Sequence, residues 1–312
     1  MVVLETMTLP FLQGTTSWLR RSLTKLGYPD GEKIKYTVLN ANGNFENAQS
    51  LLSKTMSDQK IDLVVSVATL ASRASRKLLD GTDIPQIFAV VADPVSEGFV
   101  SEIGAASGSN ITGRTHVVPA SAKLSIVSQS LAAITKTKPF RVAILRSTYP
   151  SAVSDAQKLI AGAEQFQNLV LTDLVFDYMS GDVGRSSMRR DAETLLLENK
   201  SSIDGIWLAT GPNQLDAEFI KRVGSHGVPI VFVGSTIGIE LVGLIGLQSS
   251  AEVNGRSVAG VVASVLKGVP AGDIPVIRPE RFKAGMNLST AEKMGVIVPV
   301  EVLELVGGNI YR

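Results

Sequence analysis

Hydrophobic positions in this chain fall into short apolar runs separated by longer stretches of helical period. Residues 63–67 read Leu-Val-Val-Ser-Val and residues 87–91 read Ile-Phe-Ala-Val-Val, and neither run alternates polar with apolar. Short, β-branched runs of this kind suit strands buried on both faces of a parallel sheet. Between them a helix is expected to begin at Ala68-Thr69, with Ala71, Ala74 and Leu78 at helical spacing. The cluster Asp80-Gly81-Thr82-Asp83, followed by Pro85, breaks it before the second strand.

The same pattern continues along the chain. It predicts strands at 2–6, 33–39, 111–118, 142–145, 169–176, 241–247 and 281–287, and others inside 203–215 and 228–236. Helices are expected at 11–26, 45–57, 121–134, 153–166, 183–198, 253–266 and one ending near 223, with short ones at 290–294 and 300–305. Asn44 is placed to cap the second helix, and Gly27 with Pro29 and Gly268 with Pro270 to stop others. Two stretches echo each other: IDLVVSVAT (61–69) returns as IDGIWLAT (203–210), and IPQIFAVV (84–91) as VPIVFVGS (228–235). One βαβ unit is thus used twice. Alternating strands and helices imply parallel sheets with right-handed crossovers, here two sheets facing one another across a cleft.

Composition narrows the class. The chain has 312 residues, 45% hydrophobic and 19% charged, with a net charge of +1. That balance gives no electrostatic case for nucleic acid or an anionic membrane. No window reaches the roughly 18–20 apolar residues of a membrane span. Cysteine is absent, which removes disulfides, thiolate metal sites and a cysteine nucleophile. The sequence has no phosphate loop, no G-x-G-x-x-G after a strand and no G-x-S-x-G elbow. No helix-turn-helix precedes the first strand.

Candidate chemistry follows from the sheets. Ligands of open parallel sheets bind beyond the carboxyl ends of the strands. There, Thr69-Leu70-Ala71-Ser72 opens a helix whose amides and dipole favour a carboxylate. Asp93, ahead of Pro94 at the end of the next strand, offers a carboxylate to a cation. A zwitterion satisfies both. Each feature also has a plainer reading, Thr69 or Ser72 as a helix cap and Asp93-Pro94 as a strand-end turn. His116 and His226 lie far apart in sequence without a carboxylate at ligand spacing, so no metal site or cofactor is expected. Trp18 and Trp207 read as core residues, and Arg73, Arg76, Lys77, Arg189 and Arg190 as helix-surface charges. The tripeptides at Asn110 and Asn287 match a glycosylation pattern that chance supplies often.

Several segments together resemble one family. They are LGYPDGEKIKYTVLNANGN (26–44), IDLVVSVATLAS (61–72), IPQIFAVVADPVSEGFV (84–100), GSNITGRT (108–115), VLKGVPAGDIPV (265–276) and FKAGMNLSTAEKMGVIVPVEVL (282–303). They resemble the ABC transporter substrate-binding proteins of the TrpX type, with the type I periplasmic-binding fold, over nearly the whole chain. The resemblance implies an α/β protein of two Rossmann-like lobes joined by a three-segment hinge. Residues 1–117 with 248–274 would form the first lobe, and 118–247 with 275–312 the second. It implies a monomeric, non-enzymatic receptor, periplasmic or otherwise extracytoplasmic, with a leader or lipid anchor. Such a receptor closes on a small carboxylate-bearing solute, often an amino acid, and hands it to a membrane permease and its ATPase.

Rim reasoning and resemblance together nominate Thr8, Leu9, Thr69, Leu70, Ala71, Ser72, Asp93 and Thr115 in the first lobe. In the second they nominate Ser147, Thr148, Ser151, Asn213, Ser235 and Thr236. The sequence departs from amino-acid binders of the family at Gly211-Pro212-Asn213, Gly234-Ser235 and Leu247-Gln248-Ser249-Ser250, where acidic and aromatic residues are replaced. Two alternatives remain open: a sensor domain of the same fold, and a two-lobed enzyme using Asp93 with Arg146 or Asp177.

Overall fold

The computed structural model describes residues 1–279 and 282–312. The first passage of the chain gives β1 (Val2–Glu5), α1 (Pro10–Lys25), β2 (Thr37–Asn40), α2 (Phe45–Asp58), β3 (Val64–Val67), α3 (Thr69–Leu79), β4 (Gln86–Val91) and β5 (Ile111–Thr115). The second gives α4 (Ala120–Leu131), β6 (Phe140–Ser147), α5 (Pro150–Ala163), β7 (Leu169–Phe176), α6 (Gly181–Asn199), β8 (Gly205–Leu208), α7 (Ala217–Gly224), β9 (Ile230–Val233), α8 (Thr236–Leu241) and β10 (Gly243–Gln248). Then come α9 (Ala251–Leu266), β11 (Lys283–Asn287), α10 (Leu288–Lys293), α11 (Val300–Val306) and β12 (Ile310–Tyr311). Arg281, expected to open the strand at 281–287, lies outside the described residues. Among the described residues no helix is long and apolar enough to cross a membrane.

The chain forms two units, Met1–Val117 with Ser249–Arg281 and Val118–Gln248 with Phe282–Arg312. The last passage therefore falls later than the sequence suggests. Residues 275–277 belong to the first unit because they are bonded into it. Gly104 N donates to Val276 O at 2.8 Å, Val276 N to Ala105 O at 2.9 Å, and Thr115 N to Ile277 O at 3.3 Å.

The first unit holds a five-stranded parallel sheet in the order β2-β1-β3-β4-β5. On one face Val2, Leu4 and Val64 pack with Ala48 and Leu52 of α2 and Ala71, Ala74 and Leu79 of α3. Asn44 caps α2 as expected, its side chain accepting Asn47 N at 2.7 Å. Helices α1 and α9 lie together, and Gly255 permits their approach: a Cβ there would stand 2.5 Å from Thr15 O. β2 is shorter than its pattern suggested, since only Thr37–Asn40 pairs with β1, while Ile34 bridges back to Asp30. Trp18 is not core. It sits half-exposed on α1 with the guanidinium groups of Arg21 and Arg256 at 5.4 and 5.3 Å from its ring.

The second unit holds seven strands in the order β12-β11-β10-β9-β8-β6-β7. It departs from a purely parallel sheet at one pair, β11 running antiparallel to β10 with Ile245 opposite Met286. An antiparallel neighbour needs no crossover helix, and none separates these strands within the unit. Helix α8 and strand β12 went unread because each is too short to show a period. Leu145, Ile206, Leu208 and Val233 pack against Leu196, Phe219 and Ile220. Trp207 is fully buried, stacked on Phe232 at 4.4 Å between centroids.

An ion pair inside this unit was not foreseen. Lys123 of α4 and Asp155 of α5 bond with side chains only 3% and 5% exposed. Asp155 also accepts Thr210 N at 2.8 Å, and Lys123 Nζ lies 3.2 Å from Thr210 Oγ1, so the pair grips the chain just past β8. Replacing only Asp155 by Asn leaves a buried ammonium without its countercharge and should cost about 3–5 kcal/mol in urea unfolding. Replacing Lys123 by Met and Asp155 by Leu together should recover most of that loss; a double variant as unstable as the single one would contradict this account.

Candidate binding site

Strand order fixes where each sheet offers a crevice. From β1 the chain winds to β2 on one side and to β3, β4 and β5 on the other, so the switch point lies between β1 and β3. Thr6, just past β1 and fully buried, spans it. Its hydroxyl donates to Val67 O at 2.9 Å and accepts Ala71 N at 3.0 Å, capping α3 from a distant part of the chain. Ala68 turns strand into helix at φ 70°, ψ 170°, a conformation costing about 1–3 kcal/mol outside glycine.

These contacts revise the nominated helix start. Ala71 gives its amide to Thr6, and Ser72 gives amide and hydroxyl to Ala68 O at 3.1 and 2.9 Å. Thr69 and Leu70, both buried, keep the first two amides of α3, which have no acceptor within the helix. Thr8 is exposed and accepts Asn40 Nδ2 at 3.1 Å, whereas Leu9 is buried at the cap position of α1. Glu5, which sequence reasoning passed over, ends β1 as a buried carboxylate accepting the Thr16 hydroxyl at 2.6 Å.

One strand further on, β4 carries a register shift between Ala89 and Val91, with Val90 at φ 57°. Bulges of this kind re-aim the residues that follow. Asp93 is 7% exposed. Its Oδ1 accepts Ser96 N at 3.3 Å, the Ser96 hydroxyl bonds Oδ2, and its carbonyl accepts Glu97 N at 3.1 Å. The strand-end turn is therefore real. Arg73 pairs with Glu97, tying that turn to α3. Thr115 braces the neighbouring strand end, its hydroxyl donating to Ala92 O at 3.2 Å. The rings of Phe11 and His116 lie 6.3 Å apart on the same rim.

In the second unit the switch point lies between β6 and β8. Ser147 Oγ donates to Asn213 Oδ1 across it at 3.1 Å, so the structure brings these two nominated residues together. Thr148 Oγ1 accepts Tyr178 N at 2.8 Å, and Ser151 is buried in the first turn of α5. Tyr149 and Tyr178 meet edge to face at 4.9 Å, and burial pushes the Tyr178 hydroxyl up to about 12. Ser235 and Thr236 are absorbed by the loops. Ser235 bonds Gln214 O and caps α8 through Gly238 N at 3.2 Å, and Thr236 is held by Gln248, whose Oε1 accepts its amide at 2.8 Å.

Several surface readings also change. Arg146 forks onto Asp173 of the adjoining strand at 2.8 and 2.6 Å. Arg189 bonds Asp216 at 2.7 Å, and Arg76 pairs with Asp80 at the same distance. His226 does have a carboxylate, Glu193, at 3.0 Å.

Comparison with known proteins agrees with this architecture. A family model described as ABC transporter substrate binding protein matches residues 2–308. The tyrosine-binding protein of Clostridioides difficile (strain R20291) is 31% identical over 118 residues, 38% of this chain and only 33% of that protein. The ABC domain from Streptococcus pneumonia in complex with L-Trp is 20% identical, with a TM-score of 0.81 over 100% of this chain and 99% of that one. A conserved domain protein from Vibrio cholerae is 21% identical, with a TM-score of 0.82 over 100% and 98%. The fold is that of type I periplasmic-binding proteins.

Thr6 gives the sharpest test of the rim. Thr6→Val keeps the shape but strands the buried Ala71 amide and takes one of the two hydrogen bonds from Val67 O, which still accepts Thr6 N, and this should cost roughly 1–3 kcal/mol. Urea unfolding measures it, and a loss below the error of extrapolation would mean that another group caps α3.

Proposed function

The chain belongs to the ABC transporter substrate-binding protein family, and we propose that it is the extracytoplasmic receptor of an importer for an amino acid or a closely related carboxylate. It is a binding protein, not an enzyme. In this reading the solute carboxylate is received by the amides of Thr69 and Leu70, and its ammonium by Asp93. Ser147 and Asn213 address the same solute from the second unit as the units close about the chain's three crossings. The loaded form is then read by a permease and its ATPase.

The observation that carries this reading is the pairing of unlike groups on one rim: a helix start after β3 and a buried carboxylate one strand away, past β4. The L-Trp complex and the tyrosine-binding relative support an amino acid as the solute class.

A thermal-shift screen of amino acids beside their deaminated acids tests the pairing. At a hundredfold excess over Kd a ligand adds about 2.7 kcal/mol of stability. At least one amino acid should raise Tm while its deaminated partner does not; stabilisation by the acids alone would remove the ammonium role. For the amino acid that scores, Asp93→Asn should weaken binding by roughly 2–5 kcal/mol in calorimetry. Small-angle scattering with that amino acid should show a smaller radius of gyration than the ligand-free chain, as hinge closure requires.

A further inference from the structure

Arg114 stands out among the basic residues. It is half-buried near the end of β5, and among the described residues it makes no ion pair. Its guanidinium bonds only neutral acceptors: Nε to Ser257 Oγ at 3.2 Å, Nη1 to Gly113 O at 2.9 Å and to Pro275 O at 2.8 Å. Burial lowers its pKa from the ordinary arginine value. Burying a cation without a countercharge is costly unless its hydrogen bonds are made, so these three contacts are what keep it there.

The acceptors have one thing in common. Each belongs to a segment that enters or leaves the first unit. Gly113 lies on β5, which feeds the first crossing after Val117. Ser257 lies on α9, which begins as the chain returns at Ser249. Pro275 lies on the stretch that leads out for the third crossing. Neighbouring bonds repeat the arrangement: Thr112 Oγ1 donates to Ile274 O at 2.8 Å, Arg114 bridges to Ile277, and Ser249 Oγ donates to His116 O at 3.3 Å. Asn254, 2% exposed, locks Ser249 in turn, through Nδ2 at 2.8 Å.

We propose that Arg114 is the positioning residue of the hinge: it laces the roots of the three crossings together and so fixes how far along the third passage the first unit holds the chain. The stretch 274–277 then behaves as an added edge to β5 rather than as linker. Loss of Arg114 lengthens the linker by releasing that stretch, and the ligand-free chain samples a wider range of separations between its units. The inference uses the receptor reading only for its functional meaning. Its test needs no ligand, so the two can fail separately.

Arg114→Met in the full chain keeps the aliphatic stem and removes all three bonds. Hydrogen exchange of the Val276 and Thr115 amides, which bond Ala105 O and Ile277 O, should quicken about tenfold or more, while the amides of β1 and β3 keep their rates. The chain has no native cysteine, so spin labels placed at Lys54→Cys and Glu198→Cys report the distance distribution directly. That distribution should broaden in the ligand-free variant. Unchanged exchange overturns the proposal, and so does faster exchange with an unchanged distribution, which would make Arg114 a local brace only. Should the Met variant fail to fold, Thr112→Val removes only the bond to Ile274 O. It should shift both readouts in the same direction, with exchange about threefold faster, and no change in either would equally refute the hinge role.

Discussion

In each unit a single parallel strand, β1 or β6, must serve neighbours wound on in opposite directions, and everything at the rim hangs on that. Right-handed crossovers put the helix that follows β1 on one face and the helix that follows β3 on the other. Where the two windings part, no connection passes over the sheet end, and a crevice is left. Both units close the backbone around their crevice with short hydroxyl bridges. Thr6 reaches across to Val67 and Ala71 in the first, and Ser147 reaches Asn213 in the second. The repeat visible in IDLVVSVAT and IDGIWLAT is thus a repeat of crevice as well as of strand.

Much of this was legible from apolar runs alone, because strands buried on both faces cannot afford polar positions. Legibility stopped where tertiary contacts decide. Nothing local to Ala71 or Ser72 says that their amides are already spoken for; that follows from Thr6, which lies beyond a different strand. The start of β2 was misread because edge positions tolerate either polarity, and the run 33–36 looked no different from strand. Trp18 illustrates the same limit: helical period put it with the core, whereas two guanidinium groups make a half-exposed ring stable where it is. Part of the family likeness also proves structural. Asn110, in the GSNITGRT segment, staples the end of α3 to the start of β4, donating to Leu79 O at 2.6 Å and Ile84 O at 3.0 Å while Arg76 donates to its Oδ1 at 2.8 Å.

The two rims differ in kind. On the first, charge is kept at Asp93 and Glu5 under heavy burial. On the second, the loops after β8 and β9 are joined by neutral amides and hydroxyls, Gln214 to Gly234 and Ser235, and Gln248 to Thr236. Charges close to them come in pairs, Lys123 with Asp155 and Arg189 with Asp216. Amide networks of this sort set loop shape with little desolvation cost, since every group has a neutral partner. They hold the loops of the second rim through neutral partners.

The contact of α9 with α1 has a consequence for how the chain is born. α1 is made long before α9, which follows only after β10 has been completed. Until then the first sheet has lost half of one cover, and the surface around Thr15 and Leu19 that Gly255 will press against stays open. Contacts so distant in sequence form late and slowly. A growing chain therefore carries that face through the synthesis of nearly the whole second unit, which makes the first unit, although begun earlier, the later of the two to complete its cover.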